Sequence, residues 1–394
     1  LYQTENRHGG DIYDGGIALD FSANVSPLGT PRSVTDAIER ALPELYRYPD
    51  PYCRALVQTI SEYEGVPKNF VLCGNGASEL IYAYCGAVRP KRAMELAPTF
   101  SEYSLALRRT GCEVVRFALK QEENFDLREN FLPILAREKI DALFLCNPNN
   151  PTGAVYPKET LLKLVDIARE FGLIIFADEV YDKILYEDAK HIAIASLSTD
   201  VLTITFNSLS KAYRACGYRA GWMIISGNKL PARDFIEGLN MLANMKLCAN
   251  VPGQWAIQTA LGGYQSINDL VCEGGRLRVQ RDLAWELLTQ IPGVTCVKPQ
   301  GSLYMFPRLD PKIYPIENDR QFFKELLEAT RVLLVQGTGF NWPHPDHFRV
   351  VFLPHEPQLR EAISRIAEYL AAWRAAHPVK EEPATPRKKE GAAE

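Results

Sequence analysis

The sequence predicts an α/β protein with a large domain built on a mostly parallel central sheet and a smaller α+β domain. Three observations predict this fold. Short apolar segments without strict alternation are separated by amphipathic segments, as in sheets covered by helices on both faces. After about residue 263 the pattern of alternating strand-like and helix-like segments changes, and the later strand-like segments are typical of antiparallel pairing. The 394 residues also exceed the length at which one hydrophobic core usually divides.

The strands predicted for the central sheet are residues 70–73, 93–96, 140–146, 173–177, 201–206 and 222–226. Residues 158–171 have apolar side chains at helical spacing, and Gly172 follows where helices commonly end. Beyond residue 263 the sequence predicts helices over 273–291, 319–329 and 357–376, with antiparallel strands between the first two.

These elements suggest where the domains divide. We expect a large domain over residues 42–285 and a small domain formed by residues 1–41 and 286–377. The segment up to residue 41 is assigned to the small domain because it precedes the first strand of the sheet. Residues 378–394 contain no aromatic and few apolar residues, so this segment is predicted to be a disordered tail.

Composition excludes several classes of partner. Lys and Arg number 44 against 48 Asp and Glu, so no strong basic field is available for nucleic acid or an anionic membrane. No apolar run approaches the roughly 18 residues that span a bilayer. The nine cysteines are scattered without the spacing of metal ligands, which predicts reduced thiols in a cytoplasmic protein and no metal site.

Polar motifs follow four of the predicted strands, at the point where each strand ends. In chain order they are GNGAS (74–78), NPNNPTG (147–153), DEVY (178–181) and NSLSK (207–211), with GYRAG (217–221) after the last. Ligands of parallel α/β sheets bind at the carboxyl ends of the strands, so these motifs predict a site there. Each motif alone is also typical of a turn, a helix cap or solvated surface.

Together and in this order, the motifs resemble those of the fold-type-I aminotransferases of class I and II, over residues 20–370. The resemblance implies a fold-type-I architecture and the cofactor pyridoxal 5'-phosphate. It also implies transfer of an amino group between an amino acid and a 2-oxo acid by a ping-pong route. The partners expected are therefore small molecules, with no nucleic acid and no membrane.

The resemblance assigns the chemistry to particular side chains. Lys211 matches the lysine that forms the Schiff base with the cofactor aldehyde and later moves the proton at the substrate Cα. Asp178 matches the carboxylate that keeps the ring nitrogen protonated by charge pairing. Tyr181 and Asn150 match the two donors to the phenolic oxygen of the ring.

Further matches concern the cofactor phosphate and the faces of the ring. The groups matching phosphate ligands are backbone N–H groups at a helix start and a nearby cation, namely Gly76, Ala77, Ser78, Ser208 and Arg219. Phe100 matches the aromatic residue that stacks on the ring, although a plain core position is the alternative. Tyr48 matches a tyrosine that reaches the cofactor phosphate of a neighbouring subunit, which implies a homodimer; an exposed turn is the alternative.

Two positions match substrate contacts in addition to Asn150. Arg349 matches the arginine that clamps the substrate α-carboxylate by a two-point contact. The alternative for Arg349 is a structural acidic partner, because a buried arginine needs an anion. Asn24 resembles a residue of the loop that closes over substrate, and a purely structural loop is equally compatible with the sequence.

Two parts of the chain resemble different branches of this family. Residues 1–150 resemble threonine-phosphate decarboxylases and histidinol-phosphate aminotransferases, through LDFSANVSPLG (19–29), YRYPDP (46–51) and APTFSEY (97–103). Residues 151–371 resemble bacterial glutamate–pyruvate (alanine) aminotransferases, through PTGAVYPKE (151–159) and GSLYMFP (301–307) among others. The second match is longer and tighter, so it favours alanine or glutamate as substrate.

Two alternatives stay open at this point. One is an enzyme for a phosphorylated substrate, either a histidinol-phosphate aminotransferase or a threonine-phosphate decarboxylase, with His8 as a candidate contact for the substrate phosphate. The other is a non-catalytic binding protein that retains the fold. The presence of Lys211, Asp178, Arg219 and Arg349 argues against the second alternative.

Deletion of residues 378–394 should leave folding and activity nearly unchanged, because this segment cannot bury enough apolar surface to become ordered. Thermal unfolding and turnover of the truncated and full chains would test this. A fall of several degrees in the melting temperature on truncation would show instead that the segment packs on the enzyme.

Overall fold

The computed structural model describes residues 9–13 and 16–378. His8 and all of the predicted tail except Pro378 therefore lie outside the described residues. The strands are β1 (Leu19–Asp20), β2 (Val71–Gly74), β3 (Arg92–Ala97), β4 (Glu113–Ala118), β5 (Ala142–Cys146), β6 (Ile174–Asp178), β7 (Thr203–Ser208), β8 (Gly221–Ser226), β9 (Val294–Thr295), β10 (Tyr304–Met305), β11 (Arg308–Leu309), β12 (Val332–Leu333), β13 (Val335–Gln336) and β14 (Phe348–Val351).

The helices connect these strands. They are α1 (Arg32–Ala41), α2 (Arg54–Glu64), α3 (Ala77–Val88), α4 (Glu102–Arg109), α5 (Phe131–Arg137), α6 (Lys158–Phe171), α7 (Arg233–Asn244), α8 (Val251–Gly262), α9 (Ile267–Val271), α10 (Arg276–Thr289), α11 (Asp319–Thr330) and α12 (Glu356–Ala376).

A seven-stranded sheet forms the centre of the fold, with the order β2-β8-β7-β6-β5-β3-β4. Only β8 is antiparallel to its neighbours in this sheet; the pairs from β7 to β4 are all parallel. This confirms the predicted α/β fold with a mostly parallel sheet. The six predicted strands all lie in it, and the helix predicted over 158–171 is α6.

The sequence analysis did not predict β4, which lies at one edge of the sheet. Its residues are half-buried or exposed, and two of them, Glu113 and Arg116, are charged. A strand that packs against the core on one side only has no continuous apolar run, so the criterion that identified the buried strands does not detect it.

Three smaller sheets contain the first strand and the later ones. β1 pairs in parallel with β12, β9 pairs antiparallel with β11, and β14 lies between β10 and β13 with both pairs antiparallel. The antiparallel pairs lie where the sequence predicts antiparallel strands. The N-terminal segment contacts elements from both of the predicted domains. β1 pairs with β12, which belongs to the predicted small domain, while α1 packs against α8, which belongs to the predicted large domain.

Aromatic rings stack across the middle of the central sheet. The ring of Phe176 in β6 lies 4.2 Å from that of Phe144 in β5 and 4.2 Å from that of Phe206 in β7, measured between centroids. Tyr84 of α3 packs edge-on against all three. Because side chains two apart in a strand share a face, Phe176 lies directly behind Asp178, at the carboxyl end of β6.

Replacing Phe176 by Ala should lower the free energy of unfolding by roughly 3–5 kcal/mol, because it opens a cavity between two stacked rings. Urea unfolding followed by fluorescence would measure the loss. Phe171→Ala is the matched control, since Phe171 ends α6 with 47% of its surface exposed and should cost under about 1 kcal/mol. Equal losses from the two variants would contradict this account of the core.

Candidate active site

A pocket of about 430 Å³ lies at the carboxyl ends of β5, β6 and β7. It brings together eleven of the thirteen residues that the resemblance assigns to the site, namely Asn24, Ala77, Ser78, Phe100, Asn150, Asp178, Tyr181, Ser208, Lys211, Arg219 and Arg349. Gly76 lies against the guanidinium of Arg219 at the same end of the sheet. Tyr48 does not line the pocket, and 91% of its surface is exposed.

Asp178 ends β6 and is 4% exposed. Its Oδ2 accepts a hydrogen bond of 2.5 Å from the Tyr103 hydroxyl, and its Oδ1 accepts one of 3.3 Å from the backbone N–H of Val180. Burial raises the pKa of this carboxyl to about 6, while the hydrogen bond from Tyr103 and the charge of Lys211 favour the ionised form. The result is a carboxylate held in one orientation and poorly solvated.

Lys211 follows β7 and points into the same pocket. Burial, followed by the nearby charge of Arg349, lowers the pKa of its amine to about 8. A lysine must be neutral to attack an aldehyde, so this environment makes the reactive form accessible near neutral pH.

Arg349 lies in β14 and is 3% exposed. Its Nη1 donates to Oδ1 of Asn150 at 3.0 Å, and its Nη2 donates to the backbone carbonyl of Ser22. Its Nε has no hydrogen-bond partner among residues 9–13 and 16–378. No carboxylate forms an ion pair with Arg349 in the described part of the chain, so the alternative of a structural acidic partner finds no support. A buried guanidinium in this state is suited to receive a carboxylate from outside the protein.

Asn150 and Tyr181 lie beside this arginine. Because Oδ1 of Asn150 accepts from Arg349, the amide nitrogen is left to donate into the pocket. The hydroxyl of Tyr181 lies 2.6 Å from that of Tyr304, and the Tyr304 ring lies 4.4 Å from the Arg349 guanidinium. Tyr304 lies in the motif GSLYMFP (301–307), but no sequence signal pointed to its contact with Tyr181.

The phosphate-binding residues form a cradle at the start of α3. This helix begins at Ala77, and no side chain of the described residues caps it. Gly76 precedes it with φ 89°, and a Cβ at this position would lie 2.8 Å from Nη2 of Arg219. Only glycine therefore permits the guanidinium to lie against the uncapped helix start. Free N–H groups, a cation and the buried Ser208 together fit a phosphate.

The remaining predicted residues have clear positions. Phe100 lines the pocket and packs edge-on against Tyr103, with ring centroids 5.6 Å apart. Asn24 lines the pocket as well, and its buried Oδ1 has no hydrogen-bond partner in the part of the chain that the structure describes. The residues present thus fit pyridoxal phosphate in each of its parts, since they supply an amine, a carboxylate, phenolic and amide donors, an aromatic face and a phosphate cradle.

Among residues 9–13 and 16–378, no group of three or more His, Cys, Asp or Glu side chains is arranged to hold a metal ion. None of the helices in the same ranges is both long enough and apolar enough to cross a membrane.

Comparison with known proteins identifies the family. A family model described as aminotransferase class I and II matches residues 17–366. An alanine aminotransferase of Mycobacterium tuberculosis is 46% identical over 363 residues, which cover 89% of this chain and 85% of that protein. A glutamate-pyruvate aminotransferase of Escherichia coli is 48% identical over 310 residues, covering 77% and 75%. The crystal structure of an aminotransferase from Escherichia coli has a TM-score of 0.85 at 42% identity, covering 91% and 92%.

The second branch suggested by the sequence is also represented. A threonine-phosphate decarboxylase of Salmonella typhimurium is 32% identical over 312 residues, covering 77% of this chain and 82% of that protein. It is thus a more distant relative than the alanine and glutamate-pyruvate enzymes. The resemblances to alanine and glutamate–pyruvate aminotransferases and to a threonine-phosphate decarboxylase are confirmed, and so is the fold-type-I architecture. The chain belongs to the class I and II aminotransferase family and is a pyridoxal-phosphate-dependent aminotransferase.

Proposed function

We propose that this enzyme transfers the amino group of alanine or glutamate to a 2-oxo acid in two half-reactions at the pocket described above. The observation that carries this proposal is the state of Arg349, a buried guanidinium that faces the pocket and has no carboxylate partner in the described chain. Amino acids and 2-oxo acids both present a carboxylate next to the reacting carbon, so one clamp serves both half-reactions.

Pyridoxal phosphate, when bound, supplies an aldehyde for the substrate amine and a ring that accepts electrons from the substrate Cα. The chain's own residues hold and protonate it. Asp178 pairs with the ring nitrogen, and the phenolic oxygen accepts from Tyr181 and Asn150. The backbone at residues 76–78, with Ser208 and Arg219, holds the phosphate.

Lys211 has two tasks in this proposal. Its amine would hold the cofactor through the aldehyde, and its Nζ would also be the group that accepts and returns the proton of the substrate Cα. The lowered pKa of Lys211 suits both tasks, because a neutral amine attacks the aldehyde and accepts the Cα proton. Arg349 orients the substrate so that its Cα–H bond faces this amine.

The charges of the pocket favour a substrate without a phosphate group. Three basic side chains line it, Lys211, Arg219 and Arg349, and each already has a task. Among the described residues that line the pocket, no further cation remains for a substrate phosphate, and Glu102 adds a carboxylate. Histidinol phosphate also lacks the carboxylate that Arg349 would bind. The proposed substrates therefore follow both the site and the relatives' names.

The proposal includes a homodimer in the cytoplasm. Tyr48 is held outside its own pocket and exposed, as a side chain that reaches the phosphate of a partner subunit must be. Tyr46, Tyr52, Met241 and Met245 are also exposed and offer apolar surface for such an interface. The nine cysteines are all unpaired, which suits a reducing compartment and amino-acid biosynthesis there. The division at residues 41/42 and 285/286 remains part of the proposal.

Alanine or glutamate should convert the bound cofactor to its amine form faster than histidinol phosphate does, because only the amino acids complete the Arg349 clamp. Stopped-flow loss of the cofactor's visible absorbance would measure each rate, with Lys211→Ala as the control that abolishes turnover. Faster conversion by histidinol phosphate, or release of carbon dioxide from threonine phosphate, would move the assignment to the phosphorylated substrates.

Arg349→Lys should slow the same conversion strongly, by roughly a hundredfold or more in kcat/KM, because an ammonium cannot reproduce the planar two-point contact. Arg214→Lys is a suitable control, since Arg214 bonds to Ser266 and does not line the pocket. Unchanged kinetics with alanine in the Arg349 variant would refute its role as the carboxylate clamp.

A further inference from the structure

Tyr103 is a buried tyrosine whose hydroxyl ends on the carboxylate of the site. It lies in the first turn of α4, none of its surface is exposed, and its hydroxyl donates to Oδ2 of Asp178 at 2.5 Å. The residue belongs to the segment APTFSEY (97–103), in which the family resemblance assigns a role only to Phe100. A phenol hydroxyl at this distance from a buried carboxylate affects the charge and the orientation of that carboxylate.

Because Asp178 is buried, the Tyr103 hydroxyl has a large influence on whether this carboxyl is ionised. The carboxylate receives two hydrogen bonds in the described structure, and the bond from Val180 is the longer one at 3.3 Å. Hydrogen bonds to an ionised group are stronger than neutral ones, most of all where water is excluded. Without the Tyr103 hydroxyl, the long bond from Val180 would be the one hydrogen bond left to Asp178 among the described residues, and it would oppose burial together with the charge of Lys211.

The position of the hydroxyl is fixed by ring packing. The Tyr103 ring contacts Phe144 and Phe176 of the central sheet, with centroids 5.9 Å and 5.3 Å away, and Phe100 at 5.6 Å. Burial and the adjacent Asp178 charge raise the pKa of the phenol well above its usual range, so the hydroxyl remains a donor. Phe144 and Phe176 are themselves held in strands, which leaves Tyr103 little freedom to turn away.

We propose that Tyr103 is a positioning residue whose hydroxyl keeps Asp178 ionised and aimed at the ring nitrogen of pyridoxal phosphate. This inference rests on the role proposed for Asp178. Tyr103 touches neither substrate nor the reacting atoms and acts only through this carboxylate. Its effect should therefore extend to cofactor binding, which depends on the same charge pair.

The chain offers a matched control in Tyr84. This tyrosine is also fully buried and packs against the same Phe144 and Phe176, but its hydroxyl has no hydrogen-bond partner among the described residues. Tyr84→Phe and Tyr103→Phe thus remove the same atom from the same aromatic cluster. Only the second removal takes a donor from Asp178.

Tyr103→Phe should weaken binding of pyridoxal phosphate to the cofactor-free protein, and slow the alanine half-reaction, each by about tenfold at neutral pH. Loss of the donor favours the protonated carboxyl, so the pH below which cofactor affinity falls should move upward. Tyr84→Phe should change each quantity by less than about twofold. Equilibrium titration of the cofactor across pH and stopped-flow absorbance measure these effects.

A double-mutant cycle shows whether the effect passes through Asp178. With Asp178→Asn in place there is no carboxylate to keep ionised, so Tyr103→Phe should then change cofactor affinity by less than about twofold. Tyr103→Met, which also lacks the hydroxyl, should reproduce the loss seen with Tyr103→Phe. Urea unfolding of each cofactor-free variant separates these effects from a loss of folding.

Two outcomes would overturn the inference while leaving the proposed function intact. One is an equal effect of Tyr103→Phe and Tyr84→Phe, which would make Tyr103 a packing residue. The other is a full tenfold loss from Tyr103→Phe in the Asp178→Asn background, which would show that Tyr103 acts independently of the carboxylate. If Asp178→Asn itself left affinity and half-reaction rate unchanged, the proposed role of Asp178 would fail, and this inference with it.

Discussion

The site depends on removing charged groups from water at one edge of the central sheet. Burial opposes each charge, since it raises the pKa of Asp178 and lowers the pKa values of Lys211 and Arg349. In such surroundings a fixed donor or acceptor has more influence than it would at the surface. In this pocket, a small number of oriented polar groups therefore stabilises each buried charge.

The order of the strands in the sheet brings motifs that are far apart in the sequence together at this site. Asn150, Asp178 and Lys211 follow or end β5, β6 and β7, which are neighbours in the sheet, although other elements separate them along the chain. Adjacent strands lie about 4.8 Å apart, so groups at their ends are spaced on the scale of one cofactor ring. The stacked Phe144, Phe176 and Phe206 keep these three strand ends in register from behind.

Much of this arrangement can be predicted from the sequence, for a physical reason. Buried parallel strands are short apolar runs, so six of the seven strands of the central sheet can be predicted from local patterns. The eleven pocket residues follow from the motifs at the strand ends together with their resemblance to the family. Contacts between separate elements cannot be predicted from local patterns. Tyr103 reaches Asp178 from α4, and Tyr304 reaches Tyr181 from β10, and neither contact leaves a local signal. The edge strand β4 was missed because exposure on one side interrupts its apolar run.

The contact between Arg349 and the carbonyl of Ser22 joins the two ends of the chain inside the pocket. The carboxylate clamp is therefore finished late in synthesis, when β14 has left the ribosome and can meet the segment around β1. The groups proposed to hold the cofactor lie between residues 48 and 219, so they are all translated before the clamp exists. During synthesis, the residues proposed to bind the cofactor are thus present well before the arginine proposed to bind the substrate carboxylate. The complete active site forms only after β14, the last strand, has been made.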